Sequence, residues 1–115
     1  MTEANNYATT LLSLKRFKEA RKLLRKTIPV ARRVLGESHD LTLKMRWCYA
    51  RALYENTGAT LDDLREAVST LEDAGRIARR VLGSAHPDTE GIEDDLRDAQ
   101  AALRARETPS SSPGA

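Results

Sequence analysis

Cysteine occurs once in the 115 residues, at Cys48. An internal disulfide is therefore impossible, and a thiolate cage for a metal cannot be built. Aromatic residues are nearly as scarce, with only Tyr7, Phe17, Trp47, Tyr49 and Tyr54. That poverty argues against a β-sandwich, which wants aromatic and β-branched residues at alternating positions. No apolar run approaches the roughly 20 residues of a bilayer-spanning helix, so no membrane role is expected. Met1 to Thr10 is polar and lacks the charged-then-apolar order of a secretion signal. One thiol and no such signal suit a reducing, cytoplasmic setting. A Gly-rich phosphate loop and a Ser/His/Asp order are also missing, so the expectation is a non-enzyme without cofactor or metal.

What is present points to helices. Leu, Ala and Arg dominate, 40% of the chain is apolar and 31% is charged. This length makes one small domain or a piece of a larger array. The net charge of +2 conceals a polarised chain. Lys15 to Arg46 holds eleven Lys/Arg against three acids, a balance of +8, whereas Leu61 to Glu107 holds seven Arg against twelve acids, −5. Such halves are either solvated helix faces or an attraction for an acidic partner, which could be a second copy.

The strongest signal is repetition. Ala31-Arg32-Arg33-Val34-Leu35-Gly36 recurs unchanged as Ala78-Arg79-Arg80-Val81-Leu82-Gly83, 47 residues later. At that offset His39 meets His86, Thr42 meets Thr89, Ala20 meets Ala67 and Leu24 meets Leu71. Upstream, Tyr7-Ala8 and Leu11 match Tyr49-Ala50 and Leu53 at a spacing of 42. The five-residue difference fits a lengthened turn over the polar stretch Asn56 to Thr60. The unit is thus about 42 residues long.

Each unit reads as two helices. The first runs from Asn5 to about Leu14, with Tyr7, Ala8, Leu11 and Leu14 at helical spacing. After Lys15-Arg16, a second carries Phe17, Ala20, Leu24, Ile28, Ala31 and Leu35 on its apolar stripe, with Lys18, Lys22, Arg25 and Lys26 opposite. Pro29 should kink it, and Gly36 should end it as a left-handed residue just past the helix. A third helix starts near Asp40 or Leu41 and presents Leu43, Trp47, Ala50 and Tyr54. Thr60 can cap a fourth, from Leu61 to Leu82, ended by Gly83. Pro87 and Asp88 open a fifth, to about Arg106, with Ile92, Leu96, Ala99 and Leu103 inward. Thr108 to Ala115 is too poor in apolar groups to order itself, so a disordered tail is expected over 108–115.

Helix pairs with a small residue in the first member and aromatic-x-x-Ala in the second resemble the tetratricopeptide repeat. Asn5-Asn6-Tyr7-Ala8, Phe17-Lys18-Glu19-Ala20 and Leu82-Gly83-Ser84-Ala85-His86-Pro87 resemble the kinesin-light-chain type of that repeat in particular. The resemblance implies an all-α solenoid of antiparallel hairpins, about five helices in a right-handed superhelical stack. Unit one would cover about 4–38, unit two about 40–85, and a terminal capping helix about 87–107. Lys15 departs from the pattern by standing at the turn glycine, and Trp47-Cys48 stands where Asn-Asn is usual. Arg97 takes the position of Ala8 and Ala50, which implies that the last helix faces water on its far side.

The resemblance also implies a concave groove, lined by the first helix of each unit, that binds extended peptides. The matching positions are Asn5, Thr9, Leu12 and Ser13 in unit one, and Lys44, Trp47, Cys48, Arg51, Tyr54 and Glu55 in unit two. Lys44 and Arg51 are two turns apart with Trp47 between them, which suits a protein or peptide partner bearing acidic groups around an apolar anchor. Alternatively, Trp47 and Tyr54 pack between the units. His39 and His86 read as turn residues, and the Glu90–Asp98 acidic run as a solvated face. Polyanion or nucleic-acid binding by the basic 15–46 region is a weaker reading, since no reading motif accompanies it. Self-association is another, because two and a half units fall short of the roughly three that usually make a stable stack. A homodimer is one way to cover the open end.

Overall fold

A computed structural model describes residues 1–107, so the tail expected at 108–115 lies outside the described residues. Five helices follow one another: α1 (Thr2–Ser13), α2 (Phe17–Val34), α3 (Asp40–Tyr54), α4 (Leu61–Val81) and α5 (Pro87–Glu107). No strand occurs among the described residues. Each helix packs on the next, and α3 also touches α1 and α5. The result is two layers, with α1, α3 and α5 in one and α2 and α4 in the other.

Local chemistry explains the ends. Gly36 and Gly83 adopt φ of 94° and 95°, a left-handed conformation that costs glycine little. Their N–H groups donate to Arg32 O and Arg79 O, both at 3.1 Å, and so satisfy carbonyls that the helix end would otherwise strand. Three residues after each glycine, His39 and His86 start the next helix. Their Nδ1 atoms accept from the N–H of Leu41 (3.1 Å) and Asp88 (3.0 Å). Thr60 and Asp63 form a reciprocal capping box at the start of α4. Lys15, at the turn where glycine was expected, is held at φ 59°. α2 contains Pro29 and runs on to Val34, so Gly36 is the terminator. α1 begins three residues earlier than Asn5.

The small residues sit where backbones approach most closely. Ala8, Ala50, Ala20 and Ala67 are all fully buried, as are Leu24 and Leu71 in the second helices. One core joins all five helices, and a smaller cluster of Leu11, Leu12, Ala20 and Ala52 lies beside it. Because α3 is covered from several sides, it buries more than a single stripe. Thr42, Met45, Arg46 and Tyr49 join Leu43, Ala50 and Leu53 in the interior. On α5, Ile92 and Ala99 are buried, while Leu96 and Leu103 are only half covered. Arg97 lies exposed on the far side, paired with Asp94.

The polarised charge is resolved partly within the chain. Arg21 of α2 reaches Asp63 of α4 at 3.2 Å, and Arg25 reaches Glu66 at 3.7 Å. Arg16 and Arg32 pair locally with Glu19 and Glu37. The acidic neighbour of the basic helix is thus, at these positions, the same chain's second hairpin.

Candidate functional site

The layer of α1, α3 and α5 carries the candidate site. Asn5 and Thr9 are one helical turn apart on α1, and Lys44, Cys48 and Arg51 follow the same spacing on α3. Together with Trp47 they line a depression of about 200 Å³. A second depression of about 420 Å³ takes in Leu12, Ser13 and Glu55. The two trace the α1–α3 seam from Asn5 and Lys44 to Ser13 and Glu55. Nine of the ten positions expected in a groove therefore fall along one seam. Leu12 contributes a wall more than a contact, since it is buried in the smaller core cluster.

Tyr54 is the exception. Its hydroxyl donates to Asp95 Oδ1 of α5 at 2.8 Å, and Trp47 Nε1–H donates to the other oxygen, Asp95 Oδ2, at 2.5 Å. Tyr54 accordingly titrates well above the ordinary phenol range, first because it is buried and then because it donates to a carboxylate. Trp47 belongs to both descriptions: one side lines the seam, and the rest of the ring seals the α3–α5 boundary. Its indole lies so close to Gly91 that a Cβ there would fall 2.5 Å from two ring carbons. Gly91 makes room for the ring, and Asp95, one turn later, fixes its nitrogen.

Asp95 and Gly91 were not singled out from the sequence. Asp95 lies in the acidic run that the sequence presents as a solvated face, yet its carboxylate is half-buried and accepts from two aromatic side chains. Glu93 is likewise engaged, with Arg79 Nε at 3.1 Å. A glycine inside a helical pattern costs about 1 kcal/mol relative to alanine, so an internal glycine is a signal that something packs against it. Gly91 four residues before Asp95, flanking Ile92 of the apolar stripe, carried that signal.

The cations along the seam are held loosely. Lys44 pairs with Asp40 at 3.1 Å and Arg51 with Glu55 at 2.8 Å, both one turn apart on α3. Hydrogen bonding to these carboxylates raises the pKa of each base. Helical pairs of this spacing contribute only about 0.3–0.5 kcal/mol when exposed, so a ligand's acid can replace Asp40 at small cost, while the Arg51–Glu55 pair is part-buried. Asn5 Oδ1 is buried and has no hydrogen-bond partner among the described residues. Cys48 Sγ lies 3.8 Å from Thr9 Oγ1. Burial raises its pKa, which makes it a poor nucleophile. Among the described residues, no helix is long and apolar enough to cross a membrane, and no cluster of three His, Cys, Asp or Glu is arranged to hold a metal ion.

Antiparallel hairpins stacked in register, with small residues at the close approaches and glycine-terminated second helices, define an α-helical repeat protein. The tetratricopeptide repeat family model matches residues 4–40 and 59–88, more than half of the chain, and the chain belongs to that family. Repeats of this family are non-catalytic and generally mediate protein–protein interaction. No curated protein and no solved structure matches the chain significantly. The stretch between the two matched segments, 41–58, contains Lys44, Trp47, Cys48 and Arg51.

Proposed function

We propose that the chain is a non-catalytic adaptor or scaffold module of kinesin-light-chain type, which binds an extended polypeptide along the α1–α3 seam. Asn5, Thr9, Lys44, Trp47 and Arg51 contact the ligand, Leu12 backs the seam, and Tyr54 holds the floor through Asp95. The observation that carries this reading is the convergence of Asn5, Thr9, Lys44, Trp47 and Arg51 on one depression, beside which the Asn5 Oδ1 is buried without a donor among the described residues. A backbone N–H of an extended peptide is the natural donor, since a helical or sheet-bound segment would have spent it. Lys44 and Arg51 at either side of Trp47 favour acidic groups around an apolar anchor. Trp47-Cys48, which stands where the family pattern has Asn-Asn, lies in this seam, which suits a position where partner choice is set. Units of about 4–38 and 40–85 with a closing helix at 87–107, and a cytoplasmic setting, complete the reading.

The test uses acidic heptapeptides with a central Leu or aromatic residue, selected from a degenerate library. Replacing Lys44 and Arg51 together by alanine should weaken the selected peptide about ten-fold or more, while the melting temperature stays almost unchanged. Equal loss of both would make the pair structural and reject the proposal.

A second reading rests on Tyr7. It is 53% exposed, whereas its counterpart Tyr49 is 7% exposed under α2 and α4. The edge of α1 that matches the covered edge of α3 is therefore open, and we propose that a further repeat or a second copy covers it. Sedimentation of the free chain tests the homodimer: concentration-dependent dimers abolished by Tyr7→Glu support it, and a monomer at low and moderate salt rejects it. Polyanion binding by α2 receives less support, because Arg16, Arg21, Arg25 and Arg32 all have acidic partners within the chain.

A further inference from the structure

A separate notch of about 300 Å³ lies between α2, α3 and α4, lined by Arg25, Arg32, Arg46 and Tyr49 among others. At 100° per residue, Arg46 and Tyr49 stand on the side of α3 opposite Lys44, Cys48 and Arg51, so this notch is independent of the seam. Arg46 is 7% exposed. Its Nη2 donates to Asp73 Oδ2 at 2.7 Å, and hydrogen bonding from Arg46 holds the Asp73 carboxyl below its ordinary range. Nη1, the other arm of the same fork, is buried without any hydrogen-bond partner among the described residues. A buried, charged donor left unpaired is costly, and an oxygen ligand relieves it.

The rest of the notch defines that ligand. Arg25 and Arg32 stand two turns apart on α2, at the exposed rim, where they pair with Glu66 and Glu37. Arg25 Nε donates to Tyr49 Oη at 2.9 Å, and the Tyr49 hydroxyl donates to Glu66 Oε2 at 2.6 Å. Each guanidinium thus already faces one carboxylate, Arg25 with Glu66, Arg32 with Glu37 and Arg46 with Asp73. The first two pairs are exposed and yield to an incoming acid at small cost, and Arg46 Nη1 still lacks an acceptor among the described residues. Ile28 and Pro29 supply an apolar wall for a short methylene stem. We infer that this notch receives an Asp or Glu side chain of a partner polypeptide, its carboxylate drawn to Arg46 and steered by Arg25 and Arg32. A partner gripped here and at the seam would contact both layers of the stack.

Nuclear magnetic resonance of the full chain, titrated with N-acetyl-Leu-Glu-Leu-amide, tests the assignment. Saturable shifts are expected at the Arg46 side-chain Nε–H and at the Tyr49 and Thr70 amides. The Glu→Gln tripeptide should bind about ten-fold more weakly, and Arg46→Gln should lose a similar factor. Arg32→Gln, on the exposed rim, should weaken binding about three-fold in a chain of unchanged fold, which keeps the test decisive if Arg46→Gln unfolds. Equal response to the Gln tripeptide overturns the inference. So do shifts spread over Lys18, Lys22 and Lys26 that vanish with added salt, or a stronger response to inorganic phosphate. Dimerisation abolished by Arg46→Gln would also overturn it, by placing a second copy in the notch.

Discussion

The two hairpins end their second helices with the same six residues and do so in the same way, yet their first helices live in different surroundings. Gly36 and Gly83 differ by one degree in φ, and His39 and His86 cap with the same atom. Tyr7 and Tyr49, by contrast, share a sequence position and not an environment. Tyr49 is enclosed by α2 and α4, with Arg25 over its ring at 5.9 Å, while Tyr7 stands in water. Turns are set by the residues inside them, whereas burial is set by the neighbour that arrives. A repeat therefore copies geometry faithfully and energetics only where the neighbours are copied too.

Substitutions at matched positions can break that comparison. Leu24→Ala and Leu71→Ala, both from fully buried sites, should each cost about 3 kcal/mol, measured by denaturant unfolding. Tyr49→Ala should cost a similar amount, whereas Tyr7→Ala should stay within about 0.5 kcal/mol. Equal losses for the two tyrosines would show that the edge of α1 is covered after all.

Gly91→Ala tests the α3–α5 boundary, which the first hairpin has no means of copying. The added methyl has to displace the indole, at a cost of about 1–3 kcal/mol, with a change in Trp47 fluorescence. The shared turns come next. Gly36→Ala and Gly83→Ala should each lose about 1 kcal/mol, and by nearly equal amounts. Lys15→Gly should gain about 0.5 kcal/mol, because it releases a left-handed side chain at some cost in unfolded-state entropy.

The smallest effect concerns pH. The neutral phenols of Tyr54 and Tyr49 are favoured in the folded chain, by burial first and then by donation to Asp95 and Glu66. Their contribution is complete below the ordinary phenol value of about 10 and is lost as pH rises beyond it. Melting temperatures compared at about pH 8 and about pH 11 should fall less in Tyr54→Phe than in the parent chain.

Much of this was legible because it is local. The six-residue identity located both helix ends, Thr60 announced α4, and Ala8, Ala20, Ala50 and Ala67 marked the close approaches. The seam positions follow from the resemblance to the family, and helical spacing explains why Asn5 and Thr9, and Lys44, Cys48 and Arg51, lie along one side of their helices. What stayed hidden depends on partners far away in sequence. Asp95 is 48 residues from Trp47, and nothing in its acidic surroundings distinguishes it from Asp94 or Asp98. Arg46 looked like one more cation of a basic half, and its burial follows only from α4 bringing Asp73 against it. The same pairing logic, Arg21 to Asp63 and Arg25 to Glu66, folded the charge asymmetry back onto the chain.

The most direct test is a structure in solution of the chain saturated with a selected acidic peptide, read through intermolecular nuclear Overhauser effects. Contacts from the Asn5 side-chain amide, Thr9 and the Trp47 ring to an extended peptide backbone are expected. A peptide lying wholly on α2 and α4, with the α1–α3 seam untouched, would contradict the account.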